Sequence, residues 1–112
     1  MAMTIDITDN AGKVGSWAFG DKTFQSGRTG YFVNGCLNVR LSHPVVTVRD
    51  SEGDIVCQFK ASAREFKSGK RGYYDGGPEW VIANEEGVFQ FSFQIITSSP
   101  NRHRFQAMAY SA

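Results

Sequence analysis

An excess of charge of either sign is missing from this 112-residue chain, where twelve Lys and Arg face eleven Asp and Glu. A formal charge of +1 excludes the strongly basic or acidic balance that marks whole-surface polyelectrolyte binding, so any charge signal must be local. Cysteine is scarce. Cys36 and Cys57 form no CxxC pair and are too few for a disulfide framework. Each falls in a strand-like run, where a free thiol is expected to act as a small buried hydrophobe. Histidine is as scarce. His43 and His103 have no partner at the short spacing of a zinc site, and both are expected in loops, since His43 precedes Pro44 and His103 sits between arginines. No run of about 20 apolar residues occurs, and no apolar h-region follows Met1. The expectation is a cytoplasmic location with no membrane partner.

Helical periodicity is absent as well. Only Ala61–Lys67 could form one helical turn, which Ser68-Gly69 would stop. The recurring period is two. Phe89, Phe91, Phe93 and Ile95 alternate with Gln90, Ser92 and Gln94, the pattern of a strand with one buried face. Val45 to Phe59 reads as a hairpin about the turn cluster Asp50–Asp54. Further strands are expected at Gly15–Phe19, Thr29–Val33, Cys36–Leu41, Gly72–Tyr74, Glu79–Ala83 and Arg104–Tyr110. Asn34-Gly35 is expected to be a two-residue hairpin turn, because a type I′ turn needs positive φ at both positions. Asp75–Pro78 suits a longer loop. With 13% aromatic residues, a chain of this length can bury one substantial core. Residues 1–112 are therefore expected to form a single all-β domain, a small barrel-like or sandwich arrangement of short antiparallel strands.

One segment recurs. Phe24 to Phe32 (FQSGRTGYF) resembles Phe66 to Tyr74 (FKSGKRGYY), and Val48–Phe59 lines up with Ile82–Phe93 around a shared Glu-Gly. The implied units are 22–60 and 64–110, two similar β-units from an internal duplication, neither able to bury its apolar face alone.

Signatures of catalysis and cofactor binding are lacking. There is no nucleophile elbow. Adjacent Glu85 and Glu86 point apart in a strand or turn and read as solvated charges. Ser68–Gly72 lacks the spacing of a phosphate-binding loop, and no helix follows it. No cofactor is expected, and the function is expected to be binding without catalysis. The basic–aromatic repeat carries the sharper expectation. Arg28, Lys67, Lys70 and Arg71 would pair with phosphates of single-stranded DNA or RNA, and Tyr31, Tyr73 or Tyr74 would stack on bases. Arg28 adds to the cluster if the two Ser-Gly turns lie at one end of the fold. Against it, adjacent residues of a strand face opposite ways, so one ring of each Tyr-aromatic pair belongs to the core, as do Phe24 and Phe66. The alternative is a protein-interaction or inhibitor module, a homodimer through an exposed edge strand.

Overall fold

A computed structural model describes residues 3–10, 12–77, 80–84 and 87–111. Its elements are strands: β1 (Thr4–Asp9), β2 (Gly12–Ala18), β3 (Gly20–Thr23), β4 (Thr29–Leu37), β5 (Val45–Arg49), β6 (Ile55–Lys60), β7 (Ser62–Glu65), β8 (Arg71–Tyr74), β9 (Trp80–Asn84), β10 (Gly87–Ser99) and β11 (Arg102–Ser111). They form two antiparallel sheets packed together as a sandwich. The small sheet has the order β2-β1-β5-β6, and the large one β3-β4-β11-β10-β8-β7, with β9 also on β10. No ladder joins the sheets among the described residues, so the fold is sandwich-like. No described helix is long and apolar enough to cross a membrane.

The long β10–β11 ribbon carries the core. Its ladder pairs Phe91 with Ala109, Phe93 with Ala107 and Ile95 with Phe105. Phe89, Phe91, Phe93, Ile95, Phe105, Ala107 and Ala109 are all buried, as period-two patterning requires. Large rings on β10 face alanines on β11, which leaves room for rings from other strands. Phe59 packs against Phe91 and Phe93 and stacks on Trp80, with centroids 6.0, 5.8 and 5.2 Å away. Trp17 meets Phe105 at 4.6 Å.

The ladder registers follow an approximate two-fold relation. In the large sheet β3–β4 pairs Gly20 with Phe32, Asp21 with Tyr31 and Lys22 with Gly30; β7–β8 pairs Ser62 with Tyr74, Ala63 with Tyr73 and Arg64 with Gly72. One constant shift along the chain maps the first set onto the second. Gly30 then lies beside Tyr110 of β11, and Gly72 beside Ile96 of β10, so the relation turns about the Phe93–Ala107 pair. The small sheet obeys it too. β1–β2 pairs Ile5 with Trp17 and slips register after Ile7; β5–β6 pairs Val46 with Phe59 and slips after Val48. The matching strands are thus β1–β4 and β5–β8, not units 22–60 and 64–110. Within those units Val48–Phe59 would answer to Ile82–Phe93. Yet β5–β6 lies in the small sheet and pairs Val48 with Cys57, whereas β9–β10 lies in the large sheet and pairs Ile82 with Phe89.

Several expectations are corrected. Asn34-Gly35 is no turn but the interior of β4. A Cβ on Gly35 would come within 2.7 Å of the Phe105 ring and 3.0 Å of the Trp17 indole nitrogen, so this glycine makes room for rings. Ala61–Lys67 holds strand β7 instead of a helical turn, because β8 offers it a ladder. β1 and β3 escaped the strand reading altogether. Cys36 is exposed, on the outward parity of β4, while Cys57 is buried. His103 is buried within β11, whereas His43 is exposed in a loop. Phe24 and Phe66 are only half-buried. The Glu85-Glu86 pair, Pro78 and Glu79 lie outside the described residues.

Two outcomes are expected. Phe91→Ala removes a ring at the centre of the core and should cost about 3–5 kcal/mol, read as a lowered chemical-denaturation midpoint. An unchanged midpoint would contradict the packing described. A thiol reagent should label Cys36 quickly in the native protein. Cys57 should react only on unfolding, since burial, and then the charge of Asp75, push its thiol up to about 11. Equal native rates would contradict the placement of both.

Candidate functional site: an outer sheet face and an end cleft

Each Ser-Gly turn is closed in the same way. The Phe24 amide donates to the Arg28 carbonyl at 2.8 Å and the Gly27 amide to the Phe24 carbonyl at 2.9 Å; the Phe66 and Gly69 amides repeat both bonds, to Lys70 and Phe66, at 2.8 Å. Gly27 and Gly69 take φ of 84° and 85°, the left-handed region where glycine is favoured. The next glycine in each copy has a different task. A Cβ on Gly30 would collide with the Ala109 carbonyl oxygen, and one on Gly72 with that of Ile95, so both let neighbouring backbones approach closely.

The two turns do not share one end of the fold. The β3–β4 turn lies toward the Tyr110 end of the central ribbon and the β7–β8 turn toward its Ile96 end. Arg28 is therefore not beside Lys67, Lys70 and Arg71. Its guanidinium lies 5.9 Å from the Tyr110 ring centroid, while Lys67 and Lys70 are exposed in the other turn. The tyrosines separate as well. Tyr31 is 5% exposed and packs on Phe89, so it offers no ring to solvent. Tyr73 faces inward, is half-buried and donates its hydroxyl to the Leu41 carbonyl at 3.3 Å. Burial, then the charge of Asp9, raise its pKa. Tyr74 alone of the three lies on the outward face, half-exposed, with the Arg64 guanidinium 4.7 Å from its centroid.

Among the described residues no other element covers that outward face of the large sheet, and sequence reading missed most of its residues. The registers place Lys22, Gly30, Tyr110 and Gln90 in one row, Phe32 and Met108 in the next, then Asn34, Gln106, Gln94 and Tyr74, and finally Cys36, Arg104, Ile96, Gly72 and Arg64. Lys22 sits over Phe32 at 4.3 Å and Phe24 at 5.5 Å; Arg64 repeats this over Tyr74 and over Phe66, the latter at 5.5 Å. Contacts of this kind contribute about 0.5–1 kcal/mol each at exposed sites and hold the cations over the rings. These rows carry three cations and no carboxylate. The signal in the sequence was the Lys22–Arg64 match within the recurring segment, but only the ladders add Arg104, Gln94 and Gln106.

On the inward face, at the Ile96 end, the large sheet and the β4–β5 loop line a cleft of about 480 Å³. One ladder row lines it: Glu65, Arg71, Thr97 and His103 from β7, β8, β10 and β11. Arg71, expected beside Tyr74, thus faces the other way. Arg40 and Leu41 from the β4–β5 loop form the opposite wall. Asp9 secures the next residues of that loop, accepting the Ser42 and His43 amides at 2.9 and 2.8 Å. Burial alone would raise the Asp9 carboxyl, but the amides of His43, Ser42 and Asn10 outweigh it and hold the group below its ordinary 3.8.

No protein-family model, curated protein or solved structure matches the chain.

The depressed Asp9 carboxyl makes a testable contribution to stability. A folded pKa below the unfolded one gives stabilisation that is fully present above 3.8 and lost as pH falls through the lower folded value. Asp9→Asn should therefore lower Tm at neutral pH, with the difference from wild type shrinking below pH 3.8 in thermal melts. A difference that stays constant into strong acid would count against this role.

Proposed function

We propose that the protein is a non-enzymatic binding module that holds single-stranded DNA or RNA across the outer face of the large sheet. The observation that supports this reading is the uncovered face itself, with Lys22, Arg64 and Arg104, half-exposed Phe32, Tyr74 and Tyr110, and no carboxylate in its rows. Phosphates would pair with the cations, and bases would stack on the rings at about 1–3 kcal/mol each. Gln90, Gln94, Gln106 and Asn34 add amide donors and acceptors between the rings. Of the residues singled out in sequence, Arg28 and Tyr74 belong to this face, and Lys67 and Lys70 flank it. Tyr31 and Tyr73 serve the core, and Arg71 serves the end cleft. We also infer that the two-fold registers arose by duplication of a four-strand unit, β1–β4 and β5–β8. The doubled cation-over-ring pairs of the outer face would then be its direct consequence.

Fluorescence anisotropy with a labelled mixed-sequence single strand at low salt tests the reading. Wild type should bind, and affinity should fall with salt at a slope near 0.7 per phosphate contacted. Replacing Arg64 and Arg104 together by Glu should weaken all sequences alike and reduce that slope, because phosphates carry no base identity. Tyr74→Ala should weaken binding with little change in slope. Wild type and the Glu variant equally inert at low salt would overturn the reading. Val81 and Val88, 55% and 53% exposed at the edge formed by β9 and the start of β10, would then favour a protein partner or a homodimer.

A further inference from the structure

The end cleft has a counterpart within the same molecule. Under the two-fold relation Arg64, Glu65, Arg71, Tyr73 and His103 answer to Lys22, Thr23, Thr29, Tyr31 and Phe89, and these five also line a cleft, of about 340 Å³, at the other end of the large sheet. Backbone architecture is therefore shared, while the chemistry is not. Where the second cleft has two threonines and a phenylalanine, the first has a guanidinium, a carboxylate and an imidazole. The hairpin needs none of these charged groups to form, since its mate forms without them. The β4–β5 loop adds Arg40 to the first cleft, which with Arg71 brings two guanidinium groups against the carboxylate of Glu65, while the Arg64 guanidinium at the rim lies over the Tyr74 ring.

His103 supplies a second, independent observation. It is 6% exposed, its Nδ1 lies 2.8 Å from the Thr97 hydroxyl, and its Nε2 is buried with no hydrogen-bond partner among the described residues. When Thr97 donates to Nδ1, the ring proton sits on Nε2, a buried donor without an acceptor. Such a group is costly unless something accepts its proton, and orphaned buried polar atoms are rare in folded proteins. At the mate position Phe89 raises no such demand.

We propose that this cleft is an oxyanion site for a phosphate monoester, with Arg40 and Arg71 pairing its charge and His103 Nε2 donating to one of its oxygens. Arg40 and Arg71 against the one carboxylate of Glu65 leave a net positive charge, which favours an anion. Guanidinium is the side-chain group best shaped for phosphate oxygens. Arg64 reaches both this cleft and the ring of Tyr74 on the outer face, so the site lies at the rim of the surface proposed for a strand. A free phosphate ester and a strand's terminal phosphate share this chemistry. The site itself does not rest on the nucleic-acid reading.

The test is NMR titration of the intact protein with inorganic phosphate at constant ionic strength. Saturable shifts are expected at Arg40, Arg71 and His103, and none at Thr23, Thr29 and Phe89. Arg71→Thr combined with His103→Phe gives two of these positions the residues of the mate and should abolish saturation, with the fold checked by circular dichroism. Because the buried His103 position could harm folding, Arg40→Gln with Arg71→Thr is made as well, and should weaken phosphate at least tenfold. Arg49→Gln, at the far end of the small sheet, should change nothing. Absence of saturation in wild type, equal shifts in both clefts, or equal weakening by Arg49→Gln would overturn the site. Comparing a single strand with and without a 5′-phosphate identifies the source. A preference for the phosphorylated strand that Arg71→Thr removes supports a strand end. Phosphate binding with no such preference supports a free ester. Phosphate binding with both strands inert supports the cleft and overturns the outer-face reading.

Discussion

The pairing of β10 with β11 is the constraint on which the rest of the structure depends. Its ladder runs from Phe89–Ser111 to Ser99–Arg102, and among the described residues it is the pairing that joins the two halves of the large sheet. Burial of alternate residues on both strands makes its register hard to shift, since a slip by one residue would send Phe89, Phe91, Phe93 and Ile95 to the outside and polar residues to the core. On each flank of this ribbon one hairpin is seated by a glycine, Gly30 against Ala109 and Gly72 against Ile95. The small sheet then closes over the rings, with Trp17 on Phe105 and Phe59 on Phe91 as matching contacts.

Two-fold organisation has a consequence for chemistry. Structural positions come in pairs, so a residue required by the architecture tends to recur in its mate. Tyr31 and Tyr73 recur because both hairpins need an inward ring there. Lys22 and Arg64 recur as cations lying over rings. Arg71 and His103 do not recur, and their mates Thr29 and Phe89 show that the architecture is content without them. The molecule thus contains its own control, which separates residues that build the fold from residues free to serve a ligand.

Placement of charge also differs from what linear order suggests. Arg71, Tyr73 and Tyr74 are neighbours in the chain, but alternation sends Arg71 and Tyr73 inward and Tyr74 outward. Two surfaces result, a broad outer face with rings and dispersed cations, and a narrow end cleft with concentrated charge. They meet at Arg64.

Much of the fold was legible in the amino-acid order, because a strand buried on one face must alternate. β10, the β5–β6 hairpin, the all-β class and the likeness of the two Ser-Gly hairpins all follow from local pattern and turn chemistry. What local pattern could not supply was pairing. Asn34-Gly35 has the composition of a hairpin turn, yet Trp17 and Phe105, distant in sequence, need the space that Gly35 leaves within a continuous strand. β3 and β7 are short, polar and exposed, and only the ladders offered by β4 and β8 make them strands. The likeness of the two Ser-Gly hairpins was visible, but the matching registers of the small sheet were not, because β1–β2 and β5–β6 share registers and bulges more than residues. The candidate sites were decided by tertiary structure for the same reason. The row Glu65, Arg71, Thr97 and His103, and the face holding Lys22, Arg64 and Arg104, exist only once four or more strands distant in sequence have paired.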